Sequence, residues 1–261
     1  MSSATFVWGD VSNALHVERM RHHRRLGIGE TLETDGAFAL VTGPTSNIEN
    51  GIVCGRDELA PGEAARLISW VRERNVPAAW MQPDGDVSEA LDAELFALGC
   101  REETTGVDMG ARIAELELPA STPGIEIAPV REPTELSTWI DIAARCGFFD
   151  EPVVQEGQRQ LYAAAGFDGP FQHWLARRGG RAVGIATAFF GAEALLLEHV
   201  AVLPEHRGRG IGSALVGVRV QEAARRGLDV AVLRPTPDSQ VFFERLGFSH
   251  TRVRPRRWYY L

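Results

Sequence analysis

The segment Val200-Ala201-Val202-Leu203-Pro204-Glu205-His206-Arg207-Gly208-Arg209-Gly210-Ile211-Gly212-Ser213 constrains this chain more than any other. An apolar strand runs into a proline, which stops its pairing. Glycines then fall at every second position before an amphipathic helix opens. Gly208, Gly210 and Gly212 let the main chain turn its N–H groups toward one point. The helix start adds unpaired donors and the positive end of its dipole. Arg207 and Arg209 bring charge to the rim, so a pyrophosphate is the natural guest. No Lys-Ser/Thr pair follows, as a P-loop would need, and the GxGxxG register is absent.

Elements around this segment define a mixed α/β chain. Leu118-Pro119-Ala120-Ser121-Thr122-Pro123-Gly124 reads as a linker. After it, spacing predicts a strand at 125–130, helices over 134–146 and about 153–165, and strands near 171–177 and 181–190. A buried strand at 193–203, the loop, a helix at about 210–226, a strand at 228–234, a short helix at 238–246 and a last strand or hairpin follow. The first half repeats this order more quietly: strand 47–54, helix 61–74, strand 78–82, helix 86–98, strand 101–109. A shift of 148 overlays its strand and helix on 196–201 and 210–222, which points to an internal duplication.

Charge separates the halves. Residues 1–120 hold 10 arginines and 20 acids, and residues 121–261 hold 17 and 15. The chain has no lysine, and its net charge of −8 argues against general nucleic-acid binding. Cys54, Cys100 and Cys146 lie far apart without ligand spacing, so neither a disulfide framework nor a metal site is expected. No window is apolar enough for a membrane span, and Met1–Asp10 has no export signal, so a cytoplasmic protein is expected.

The loop resembles the Arg/Gln-x-x-Gly-x-Gly/Ala signature of the Gcn5-related N-acetyltransferase (GNAT) superfamily, as Arg207-Gly208-Arg209-Gly210-Ile211-Gly212. Val202-Leu203-Pro204 before it and Phe243-Glu244-Arg245-Leu246-Gly247-Phe248 after it belong to the same pattern. This resemblance covers about 124–261 and is weak over 1–118. It implies two GNAT-like domains, each a mixed, mostly antiparallel sheet flanked by helices, the second having splayed parallel strands. The expected division is a degenerate domain without a phosphate loop at 1–118, a linker at 119–124 and a catalytic domain at 125–261. Gly55-Arg56-Asp57-Glu58-Leu59-Ala60-Pro61-Gly62, with two acids where the loop should be, stands at the degenerate position. Mycothiol synthase-like enzymes have a similar tandem organisation.

By that resemblance, acetyl-CoA is the co-substrate, and no metal is needed. Val200, Ala201 and Val202 line its arm, while Arg207, Gly208, Arg209, Gly210, Ile211, Gly212 and Ser213 hold its phosphates. The acceptor is a small-molecule amine. Glu198, interrupting an apolar run, is the candidate base, with pairing to an arginine as its structural alternative. Alternation sends His199 to the opposite face. Phe243 replaces the tyrosine that many relatives use as acid, which leaves water, Ser239 or another tyrosine for that role. Acceptor contacts are expected from Trp139, Phe148, Phe149, Asp150 and Glu151, against the alternative of a plain hydrophobic contact with solvated acids.

Two further runs read as structural. Arg19-Met20-Arg21-His22-His23-Arg24-Arg25 reads as a solvated helix face paired with nearby acids, with contact to phosphate or RNA as its alternative, and the tail from Arg252 to Tyr260 as an edge strand, a subunit contact or an acceptor lining. A homodimer, a mycothiol synthase-like activity, acylation of a protein N-terminus or an aminoacyl-tRNA, and a non-catalytic acyl-CoA sensor or scaffold all remain open at this point.

Overall fold

A computed structural model describes residues 8–46, 48–54, 59–81, 88–104, 108–119, 122–250 and 257–261. The first half comprises α1 (Trp8–Arg25), β1 (Glu30–Glu33), β2 (Ala37–Val41), β3 (Gly51–Cys54), α2 (Glu63–Arg72), β4 (Ala79–Met81), α3 (Glu89–Ala97), β5 (Arg101–Thr104) and β6 (Met109–Arg112). The second comprises β7 (Ile125–Pro129), α4 (Pro133–Arg145), α5 (Pro152–Ala165), β8 (Phe171–Arg178), β9 (Arg181–Phe190), β10 (Leu195–Val202), α6 (Ile211–Arg225), β11 (Val230–Leu233), α7 (Gln240–Glu244) and β12 (Arg257–Tyr260). They build two six-stranded sheets of mixed orientation, ordered β1-β2-β3-β4-β12-β5 and β6-β11-β10-β9-β8-β7.

The two sheets repeat one plan. Antiparallel strands lead to a single parallel pair, β3 with β4 in one and β10 with β11 in the other. An antiparallel strand then follows from the opposite half: β12 pairs with β4 and β5, and β6 pairs with β11. The halves have exchanged their last strands. The expected cut at 119–124 therefore does not part the sheets, since β6 before it and β7 after it stand at opposite ends of the same sheet. The tail strand is corrected too. Among the described residues of that run, β12 is interior to the first sheet rather than at an edge, with Tyr259 fully buried.

Apolar side chains cover both faces of the second sheet. Leu195 and Leu197 join Ile211, Leu215 and Val216 of α6 on one face. Leu196, Ile185 and Val232 join Leu136, Trp139 and Ile140 of α4 on the other, where Trp8 and Leu15 of α1 also pack. Val17 and Met20 of α1 meet Phe38, Leu40 and Val53 of the first sheet. So α1 is a wedge between the sheets. That overturns half of the reading of 19–25 as a solvated face: Arg21 and Arg25 are exposed and Arg24 pairs with Glu33, but Arg19, Met20 and His23 are fully buried because two sheets, not one, close on the helix.

Candidate functional site

Strands β10 and β11 pair only where Leu195–Leu197 face Ala231–Leu233. Beyond that they part. At the same point β10 is bulged: its register against β9 shifts between Glu198 and Ala201, and His199 has φ of 48°. A bulge bends its strand and re-aims its side chains. Alternation is broken here, so Glu198 and His199 point to the same face. Glu198 meets α1, while the His199 ring packs against Trp139, Phe148 and Phe149 at 5.1–5.5 Å between centroids. The opposite-face expectation for His199 fails on that one left-handed residue. Burial pushes its imidazole down to about 4, so it is neutral at pH 7.

A buried arginine sits behind the bulge. Arg219 of α6 donates from Nη1 to the carbonyls of Thr187 (2.5 Å) and Glu198 (3.2 Å), and from Nε to Leu215 (2.9 Å). Loss of solvation lowers its guanidinium to about 9, with the Glu198 carboxylate opposing that fall.

The parted strands open a cleft of about 690 Å³. Val200, Ala201, Val202, Arg207, Gly208, Gly210, Ile211, Gly212 and Ser213 line it; Arg209 is turned out to solvent and does not. Arg207 folds back to donate from Nε to the Val202 carbonyl at 3.0 Å, which ties the turn to the strand end. Gly210 takes the left-handed N-cap of α6 at φ 75°, and no side chain caps the helix. The first intrahelical bond runs from Ala214 N to Gly210 O at 3.0 Å. Donors of the first turn are thus left for a ligand. At Gly212 a Cβ would stand 3.3 Å from Phe242 Cζ, so a side chain there crowds the cleft wall.

The first half holds a related helix start. Gly62 holds the same left-handed N-cap of α2 at φ 80°, 148 positions before Gly210. There Glu63 spends its carboxylate on Ala60 N at 2.9 Å, placing an acid across the helix start. Gly55–Glu58, the acidic stretch of the loop position, lies outside the described residues.

Glu198 lines the cleft with its side chain 10% exposed, and Arg19 Nη1 donates to its Oε2 at 2.6 Å. The arginine partner weighed from the sequence is thus real, and it comes from the other half. His16 Nδ1 lies 3.9 Å from Oε1. Behind them Glu49 Oε2 stands 3.5 Å from Arg19 Nε and 3.6 Å from His23 Nδ1. Burial raises the Glu49 carboxyl to about 7, against the pull of Arg19, and drops His23 to about 3. Burial also works against the Arg19 charge, yet Glu198 and Glu49 beside it leave its pKa raised. Periodicity missed this group, although Ser12, His16, Arg19 and His23 do recur at helical spacing along one stripe of α1.

Ser239 lines the cleft, but its hydroxyl donates to the Thr236 carbonyl at 3.0 Å and accepts from Thr236 Oγ1 at 2.9 Å. Phe243 lines it too, and no tyrosine does among the described residues. Of the expected acceptor contacts only Phe148 reaches the cleft. Trp139 is a core residue, fully buried with Nε1 bonded to Ala186 O at 3.1 Å. Phe149 packs on Trp139, and Asp150 and Glu151 are exposed where α5 begins. No group of acids, histidines and cysteines among the described residues is arranged to hold a metal, and no helix is long and apolar enough to cross a membrane.

Residues 169–250 match the acetyltransferase (GNAT) domain family. The whole fold is similar to a GCN5-related N-acetyltransferase from Kribbella flavida, with a TM-score of 0.65 and 16% identity over 96% of this chain and 94% of that one. It is also similar to a tandem GNAT protein from the clavulanic acid biosynthesis pathway (TM-score 0.57, 12% identity, 98% and 94% covered). A third is a GCN5-related N-acetyltransferase from Sphaerobacter thermophilus (TM-score 0.54, 15% identity, 95% and 91% covered). The GNAT match thus covers residues 169–250, and the fold of the chain as a whole is similar to those of GNAT structures.

Proposed function

We propose that this protein transfers an acetyl group from acetyl-CoA to a primary amine of a small molecule, by direct attack within the cleft between β10 and β11. One observation carries the reading: the uncapped start of α6 and the unpaired edge of β10 open on the same cavity. The residues fit such a donor. Main-chain N–H groups around Gly210–Ser213, with Arg207 beside them, suit the pyrophosphate. Val200 and its neighbours offer a strand edge unpaired with β11 to the pantetheine arm, with the Val202 carbonyl held by Arg207, and an N–H there polarises the thioester carbonyl as negative charge develops on its oxygen. Glu198 takes the proton that the ammonium form of the acceptor must lose, directly or through one water. A thiolate leaves readily enough that the phenylalanine at 243 does not block turnover. Only the second half binds the donor: at the equivalent helix start in the first, the Glu63 carboxylate brings negative charge that disfavours a pyrophosphate.

Calorimetry with acetyl-CoA, on the wild type and on Gly210→Glu, tests donor binding. A panel of amines followed by CoA release tests transfer, with Glu198→Gln as the control. Absence of binding, or indifference to Gly210→Glu, would sink the reading. A second reading, an acyl-CoA sensor without turnover, draws on the engagement of Glu198 by Arg19 and on Phe243. Steady CoA release lowered about a hundredfold or more by Glu198→Gln, to a residual rate, rejects it. The acceptor-specific alternative, a mycothiol synthase-like enzyme, is separated by assay with the desacetyl thiol.

A further inference from the structure

We propose that Arg19, on the wedge helix of the first half, is the positioning residue for Glu198, so that the half without a donor site supplies part of the acceptor chemistry. The inference rests on the acetyltransferase reading above.

The Arg19 side chain is fully buried and reaches across from one sheet to the other. Nη1 donates to Glu198 Oε2 at 2.6 Å, and Nη2 donates to the Ile48 carbonyl at 3.0 Å. Nε stands 3.5 Å from Glu49 Oε2, and the guanidinium carbon lies 5.6 Å from the centroid of the Phe171 ring. This fork is anchored on three sides before it meets Glu198, which gives it the rigidity of a template rather than a surface counter-ion. On the main chain of the same residue, Arg219 holds the Glu198 carbonyl at 3.2 Å. Side chain and backbone of Glu198 are therefore each fixed by a buried arginine, one from each half.

The two carboxylate oxygens become unlike. Oε2 is occupied by Arg19, while Oε1 has no hydrogen bond among the described residues, its near neighbour being His16 Nδ1 at 3.9 Å. Glu198 is the member of the pair that reaches the cleft wall. The proton from the attacking nitrogen thus goes to Oε1, and Arg19 keeps the carboxylate aimed without touching the acceptor. A base left free to rotate loses this orientation, and misplacement of about 1 Å costs on the order of a hundredfold in rate.

The experiment is a double-mutant cycle on the full chain with Arg19→Gln, Glu198→Gln and the pair, plus Arg19→Lys. Each variant is read by acetyl-CoA binding and by steady-state release of CoA with an amine that the wild type uses. Expected for Arg19→Gln is a kcat lowered by about tenfold or more, with the Kd for acetyl-CoA changed less than about threefold. In the Glu198→Gln background the same substitution has almost no further effect, because it acts through a group already removed. Arg19→Lys recovers part of kcat, since one ammonium keeps the charge but not the fork. An unchanged kcat in Arg19→Gln, or losses that simply add in the double variant, overturns the proposal while leaving the acetyltransferase reading intact. A wild type that binds acetyl-CoA yet releases none with any amine overturns both. If Arg19→Gln does not fold, the lysine variant decides: full wild-type kcat rejects a role for the fork.

Discussion

Arg219 bonds the carbonyl of Glu198 from the far side of the sheet, so the helix that opens the donor cleft also fixes the bulge that bends its wall. Both features hang on one buried side chain, with Thr187 O and Leu215 O as its other anchors. Replacing Arg219 by methionine removes the desolvated charge together with its bonds to the strand carbonyls of Thr187 and Glu198, while Leu215 O keeps its place in the α6 ladder. A loss of about 2 kcal/mol in stability is expected, because two lost buried charge-assisted hydrogen bonds outweigh the relief of desolvation. Acetyl-CoA should bind about tenfold more weakly as the bulge relaxes. Urea unfolding and calorimetry measure the two effects, and an unchanged affinity would show that the bulge holds without Arg219.

Gly212→Val probes the cleft from the other wall. A Cβ there stands 3.3 Å from Phe242 Cζ, and the valine methyls add further bulk at the cleft wall. Affinity for acetyl-CoA should fall by about tenfold or more, while the melting temperature moves by only a few degrees because the site is at a helix end. Equal loss of both would mean that the glycine serves packing rather than the ligand.

Ser239→Ala should change kcat by less than about threefold. Its hydroxyl proton is already committed to the Thr236 carbonyl, so it is a poor source for the departing thiolate. A loss of two orders of magnitude in the steady-state assay would restore Ser239 as the acid.

Glu49 sets a pH dependence whose sign can be worked out. Its carboxyl is raised from an ordinary 4.5 to about 7. Between those values the folded chain holds a proton that the unfolded chain has released, so this group makes stability fall as pH rises from about 4.5 to 7. His23 and His199, lowered from 6.5 to about 3 and about 4, tilt the curve the other way, since the unfolded chain binds their protons first. Glu49→Gln isolates the one contribution. The stability of the variant minus that of the wild type should climb across pH 4.5–7 and level off above it, by on the order of a few kcal/mol. Denaturant curves at pH 4.5, 5.5, 6.5 and 8 read it directly, and a flat difference contradicts the assignment.

Much of the cleft was legible because its signals are local. Glycine spacing after a proline-stopped strand gives the turn and the helix start whatever surrounds them, and Gly62 and Gly210 share one conformation as the 148-residue shift implies. The role of α1 was not legible. Its buried stripe carries Ser12, His16, Arg19 and His23, so the apolar periodicity that marks a buried helix is missing. His199 was misplaced because alternation assumes an unbroken strand, and a single φ of 48° breaks it. The exchange of β6 and β12 left no trace in periodicity, since a strand pattern says which face is apolar and nothing about which neighbour will pair with it.

That exchange sets an order of events during synthesis. The first sheet to leave the ribosome lacks the strand that belongs between β4 and β5, and it waits with two open edges for residues 257–260. Unpaired edges invite wrong partners, and closing them across such a sequence distance is slow. The contact between Arg19 and Glu198, 179 residues apart, can lock only when both sheets are nearly whole. The first sheet is therefore completed only by the last strand of the chain, and the aiming of Glu198 by Arg19 belongs to that same late step.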